Sequence, residues 1–248
     1  MADLDTRVQG ELTTRLDALS EQFVDPDDFL DPDKVKVRNK GDKWIMPDCP
    51  NCTERCCVHD DPESGILLSL RDVANLVDSG LEHLIVGKYT FKRNKRGKVL
   101  DDFDEMPKLA KQPDGNCHFY DPATGRCEGY GVRPTICRRY PYEVEYRKKN
   151  GKPFVKFIGW AKCPTMEGDQ FADSIKQMAR DAVNDENVSY EDIILLGEHV
   201  EALRQAGFDR FLPPPEECPG AVVAPPTGKF SKGKQGKKSR PAEVVTEG

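Results

Sequence analysis

Four cysteines fall within nine residues, Cys49-Pro-Asn-Cys52-Thr-Glu-Arg-Cys56-Cys57, and this run limits what the surrounding chain can become. Thiolates are soft, strong metal ligands, and short spacings let one loop offer several of them to a single ion or cluster. Cys49 and Cys52 have the two-residue spacer shared by zinc knuckles and iron–sulfur loops. Cys56 and Cys57 are neighbours whose side chains tend to diverge, one toward one metal and the other toward a second. Cys117, Cys127 and Cys137 follow with nine residues between successive members, then Cys163 before Pro164, then Cys218 between Pro215 and Pro219. Cys218 borders a tail poor in bulky apolar residues and is set aside as a ligand. The other eight are enough for two tetrathiolate sites, or for one four-cysteine site plus other roles.

The alternative for so many cysteines is a disulfide framework, which needs an oxidising compartment and typically a short secreted chain. Residues 1–10 are polar and acidic, with neither a basic n-region nor an apolar h-region, so no signal peptide is visible. No stretch approaches the roughly 20 apolar residues of a membrane span. These features predict a cytoplasmic chain with reduced thiols and no membrane association. The apolar fraction is 37% and the charged fraction 32%, against about 45–50% (glycine included) and about 25% for an ordinary domain. That predicts a modest core with solvated arms, which metal crosslinks would reinforce by adding binding free energy to folding. The net charge of −6 argues against a polyanion partner for the chain as a whole.

Leu4, Val8, Leu12, Leu16, Leu19 and Phe23 recur every three or four residues and predict a helix over 3–24, packed on the domain by its apolar stripe. A dimerising helix would have only about three heptads to work with. Asp25-Pro26 ends it. The cysteine loop occupies about 44–61. Ser69-Leu70-Arg71-Asp72 reads as a capping box opening a short helix that runs to Gly80. Residues 84–91 and 98–103 are expected to pair as strands around Asn94-Lys95-Arg96-Gly97. Asp114-Gly115 and Thr124-Gly125 mark turns beside Cys117 and Cys127. Residues 142–147 and 153–160 read as a hairpin joined at Asn150-Gly151, with Cys163 just beyond. Two helices are then expected, over 170–183 and 190–206, the second opened by a capping box at 189–192 and stopped by Gly207. The tail after Cys218 is expected to be disordered and carries a basic run from Lys229 to Arg240.

Around the later cysteines the chain reads Gly115-Asn116-Cys117-His118-Phe119-Tyr120, then Gly125-Arg126-Cys127-Glu128-Gly129-Tyr130, then Arg133-Pro134-Thr135-Ile136-Cys137-Arg138-Arg139-Tyr140-Pro141. Together with the first loop, these blocks resemble the YkgJ-type cysteine-cluster family, described as a zinc- or iron-chelating domain. Its pattern is a Cys-x-x-Cys-x-x-x-Cys-Cys loop, a Cys-x-Phe/Leu element, and a Cys followed by Arg-Pro-x-x-Cys-Arg-x-Phe/Tyr-Pro. The resemblance covers about 49–141, and Cys163-Pro164 extends it. Gly129-Tyr130-Gly131 departs from it, since relatives often carry an Ile/Val-Tyr pair there. The resemblance implies metal or iron–sulfur binding. Some proteins resembling this family are associated with N-methylation of flagellin lysines, and others are labelled iron–sulfur oxidoreductases.

The expected ligand pool is Cys49, Cys52, Cys56, Cys57, Cys117, Cys127, Cys137 and Cys163. Four thiolates around Zn²⁺ leave a net charge of −2, which cationic neighbours would offset. Arg133, Arg138 and Arg139 flank Cys137 and are candidates, the alternative being plain ion pairs with acidic neighbours. His59 and His118 sit next to ligand cysteines and could replace one in a mixed zinc site. With eight cysteines to draw on, they are read as outer or surface residues. His83 and His199 invite no assignment. Zinc and an iron–sulfur cluster both stay open as cofactors.

Three functions follow. The first is a metal-binding module whose site organises a small domain and a protein-partner surface. The second is a protein-modifying or redox enzyme, such as a protein-lysine N-methylase. For that reading the chain offers no Gly-x-Gly-x-x-Gly loop after a strand and no distinctive nucleophile–base pair. The third is nucleic-acid binding through the basic tail, disfavoured by the acidic whole. The predicted class is α+β, a small irregular cysteine-rich metal-binding domain with short strands and flanking helices. Its expected parts are an N-terminal helix and linker (1–40), the cysteine-cluster domain (41–170), a helical extension (171–212) and a disordered basic tail (213–248).

Overall fold

The computed structural model describes residues 10–34, 65–95, 97–139, 142–149, 152–159 and 172–218. The loop with Cys49, Cys52, Cys56, Cys57 and His59, the segment with Cys163, and the basic tail lie outside the described residues.

Helix α1 (Glu11–Phe23) starts after Gly10 rather than at residue 3; it buries Leu12 and Leu16 and half-buries Leu19 and Phe23, while Leu4 and Val8 of the expected stripe lie outside the described residues. It packs against α2 (Leu70–Asp78). Gly10 at its N-cap has no side chain to bind the open N–H groups that begin any helix. Asp78, from the far end of α2, does so instead. Its carboxylate accepts from Leu12 N at 3.0 Å, Thr13 N at 2.8 Å and Thr13 Oγ1 at 2.6 Å. The approach is close enough that a Cβ on Gly10 would lie 2.0 Å from Asp78 Cγ.

Helix α2 begins with the capping box expected at Ser69 and Asp72, and both reciprocal bonds form. A long excursion follows. β1 (Ile85–Val86), β2 (Thr90–Arg93), β3 (Val99–Glu105) and β4 (Lys108–Leu109) form two nested antiparallel pairs, β2 with β3 inside and β1 with β4 outside. The expected hairpin around 94–97 is therefore present but shifted. Gly87, at φ +83°, turns the chain between 86 and 90, so Ile85 and Val86 pair with Leu109 and Lys108 rather than with 98–103.

β5 (Tyr120–Asp121) and β6 (Arg126–Cys127) make a small ladder, and α3 (Thr135–Arg139) carries Cys137. β7 (Tyr142–Lys149) and β8 (Lys152–Gly159) pair in unbroken register from Tyr142↔Gly159 to Lys149↔Lys152, which leaves two residues for the turn, as expected.

In place of two C-terminal helices there is one of 27 residues, α4 (Ala172–Glu198), followed after His199 by the short α5 (Val200–Leu203). The capping box expected at Ser189 is not used. The Ser189 hydroxyl donates to the Asp185 carbonyl one turn back at 3.2 Å, leaving the helix continuous. Polar residues around this point have partners on other segments. Asn187 exchanges two 2.9 Å bonds with the Leu30 backbone, Glu191 accepts from Ser20 Oγ at 2.7 Å, and Asp192 accepts from Leu70 N at 2.8 Å. Gly207, at φ +110°, turns the chain out of its helical course.

The core gathers Leu12 and Leu16 of α1, Leu70, Val73 and Leu76 of α2, Leu195 and Leu196 of α4, and Phe208 and Leu212 beyond α5. Tyr89 is fully buried among them, and its hydroxyl donates to Leu68 O at 3.0 Å. The class is α+β, as expected. Among the described residues no helix is long and apolar enough to cross a membrane.

Two outcomes follow. Gly10→Ala should drive Asp78 off the α1 terminus and cost roughly 1–3 kcal/mol, read as a lowered urea midpoint. Burial holds the Asp192 carboxyl well above the usual carboxylate range, against the opposing pull of the Leu70 N–H, and the charge of Asp72 adds to the rise. The folded state therefore binds more protons than the unfolded one above the ordinary carboxylate range, so stability falls as pH rises there. Asp192→Asn keeps an acceptor for Leu70 N and removes that slope. It should gain most over the parent at pH 8 and least at pH 4, in urea titrations across that range.

Candidate metal centre

Three pool members lie in the described residues, each on a short element that could not hold itself. Cys117 is 6% exposed and belongs to the core cluster. Its loop is tied by Gln112, whose Nε2 donates to Cys117 O at 3.2 Å, His118 O at 3.2 Å and Tyr120 O at 2.6 Å. Gln112 N also donates to Asn116 O at 2.8 Å. One amide thus closes the turn that presents the cysteine, with Gly115 at φ +86° supplying its bend.

Cys127 is half-buried and pairs with Tyr120 across β5 and β6, while Glu128 N donates to Phe119 O at 2.8 Å. The Cys117 and Cys127 loops are thereby joined edge to edge. Gly129 accounts for the local departure in the sequence pattern. A Cβ there would lie 2.4 Å from Phe119 Cγ, so the Phe119 ring occupies the space any other residue would need. Tyr130 then receives the Arg133 guanidinium over its ring at 3.6 Å.

Cys137 is half-buried on α3, one turn after Pro134, whose carbonyl accepts from Cys137 N at 2.9 Å. The first residue of α3 is anchored from α2. Asp72 Oδ1 accepts from both Thr135 N and Thr135 Oγ1 at 2.9 Å, while Oδ2 serves the α2 cap at Ser69 N. Burial raises the Asp72 carboxyl above its usual range, and the Ser69 and Thr135 donors pull it back. Arg138 reaches Asp185 of α4 at 3.3 Å, so the ion-pair alternative applies to it.

His118 is exposed beside the buried Cys117, and its ring meets Phe119 edge-on at 6.1 Å. His83 is exposed, and His199 stacks on Phe23 at 4.0 Å. Cys218 is 2% exposed. Its sulfur lies 3.6 Å from Arg204 Nη2 and donates toward Pro213 O and Pro214 O. Burial pushes this thiol up, with Arg204 opposing. Among the described residues no three His, Cys, Asp or Glu side chains form a metal-holding group. Cys117, Cys127 and Cys137 supply soft sulfur donors, which suit zinc or iron. Cys49, Cys52, Cys56, Cys57 and Cys163 lie outside the described residues. Sequence reading missed Gln112 and Thr135 as supports, and took Asp72 only as a helix cap.

Residues 48–154 match the CxxCxxCC family model, described as "Putative zinc- or iron-chelating domain". The matched stretch is less than half of the chain. Its first loop has Thr53-Glu54-Arg55 between the second and third cysteines, one residue more than the family label. The chain is also similar to the protein titled "Uncharacterized protein MJ0661" of Methanocaldococcus jannaschii, with 44% identity over 50 residues. That stretch is 20% of this chain, and the chain spans about a quarter of the relative's length, 26%. No solved structure matches. Within the matched stretch, Gly129→Ala should displace Phe119, lower stability by roughly 1–3 kcal/mol and loosen the Cys127 limb. Urea midpoints, with thiol-alkylation rates at Cys127, check both effects.

Proposed function

We propose that this chain is a metal-binding protein that holds zinc or an iron–sulfur cluster through Cys49, Cys52, Cys56, Cys57, Cys117, Cys127, Cys137 and Cys163. In this reading the loaded site organises a small domain that docks a protein partner. The observation that carries it is the match of residues 48–154 to a zinc- or iron-chelating family. The described limbs support it, since the Cys117 and Cys127 loops are joined through β5 and β6, and α3 is tied to α2 through Asp72. When bound, zinc would act as a closed, redox-inert crosslink, whereas an iron–sulfur cluster would supply electron transfer.

The chain's own residues would present the sulfurs and offset their charge. Arg133 Nε is buried with no hydrogen-bond partner among the described residues, a donor suited to accumulated thiolate charge. Thiolate ligation needs reduced thiols, so the reading places the protein in a reducing compartment. The net charge of −6 favours a protein partner over nucleic acid.

Protein purified without oxygen should contain zinc or iron by elemental analysis, and Cys117→Ser and Cys137→Ser should each lower that content. Iron with acid-labile sulfide and a broad band near about 400 nm would identify a cluster. About one or two zinc per chain with no visible band would identify a structural site. A fully folded, metal-free protein from the same preparation would overturn the proposal.

A further inference from the structure

We infer that Asp72, which belongs to none of the cysteine blocks, is a positioning residue for the metal site, fixing through Thr135 where α3 presents Cys137. The inference rests on the ligand role proposed for Cys137. α3 has five residues, too few to persist unaided, because a single turn does not repay the cost of helix nucleation. Its leading N–H has no acceptor within its own helix. Asp72 supplies that acceptor and takes the Thr135 hydroxyl with the same oxygen, both at 2.9 Å.

Burial ranks this tie above the others on the segment. Asp72 is 3% exposed and Thr135 5% exposed. The Arg138–Asp185 pair lies on the surface by comparison, with the Arg138 side chain 39% exposed, and exposed pairs constrain weakly. Hydrogen bonds accepted by a carboxylate are stronger than those between neutral groups. Asp72 is itself held on the opposite side, where its other oxygen closes the α2 capping box at Ser69. Cys137 lies two residues past this clamp and is bonded through its N–H to the Pro134 carbonyl just before it. Motion at Thr135 is therefore passed to the sulfur within one turn. Groups that orient metal ligands from outside typically change affinity by about 10–100-fold when removed.

The test uses the full chain carrying whichever of zinc or iron it is purified with, titrated with EDTA, and the metal retained is counted by elemental analysis. Asp72→Asn and Thr135→Val should each weaken retention by about 10–100-fold, and Thr135→Ser should restore it. Asp78→Asn serves as the control, since it disturbs an α2-based cap on α1 with no described contact to α3. It should lower the urea midpoint and leave retention unchanged. Thr135→Val preserves the α2 capping box and carries the test if Asp72→Asn does not fold. If the parent retains metal and Thr135→Val matches it, or Asp78→Asn weakens retention equally, the positioning role falls and the ligand reading stands. If the folded parent holds neither zinc nor iron, both fall.

Discussion

A carboxylate withdrawn from water must have its oxygens met by donors, and Asp72 satisfies that demand by joining two helices. One oxygen completes the cap of α2, and the other takes the open N–H and hydroxyl at the start of α3. The bonds come from uncharged groups, so the anion is solvated without a buried cation. The cation of this region, Arg71, is engaged by Asp17 and Glu191. The Cys137 limb is held by the same bonds that hold α2.

α4 extends this logic along its length. Three of its polar residues answer groups on other segments: Asn187 at Leu30, Glu191 at Ser20 and Arg71, Asp192 at Leu70. Its apolar residues Leu195 and Leu196 enter the common core. The helix is therefore bound to α1 and α2 by directional bonds as well as by burial. This explains why a stretch rich in Asn, Asp and Glu runs as one helix.

Local signals carried much of the fold. The α1 stripe from Leu12 to Phe23, the Ser69 capping box, the turns at Gly115 and Gly125, and the β7–β8 register all depend on residues within a few positions of each other, and the structure contains them. Long-range partners decided what was misread. Ser189 and Asp192 have the composition of a cap, but Asp192 is used by Leu70, 122 residues away. Gly87 looked like a residue inside a strand, yet it redirects the chain toward β4. At the candidate site, the cysteine blocks and the family were legible because spacing encodes them. Gln112, Thr135 and the Phe119–Gly129 contact were not, because an amide bonding three carbonyls or a ring occupying the space of a side chain leaves no periodic trace.

The two ends of α2 also bear on how the chain assembles during synthesis. Asp78 closes onto Thr13 across 65 residues, Asp72 onto Thr135 across 63, and Leu70 onto Asp192 across 122. A chain emerging N-terminus first can make the first two closures once residue 135 is free. The leading N–H of α2 then stays open to water until α4 arrives. Domains completed during translation fold as units, and contacts of long sequence separation are slow to form. The segment that carries Cys137 can thus be docked on α2 while the helix that seals the core is still being made.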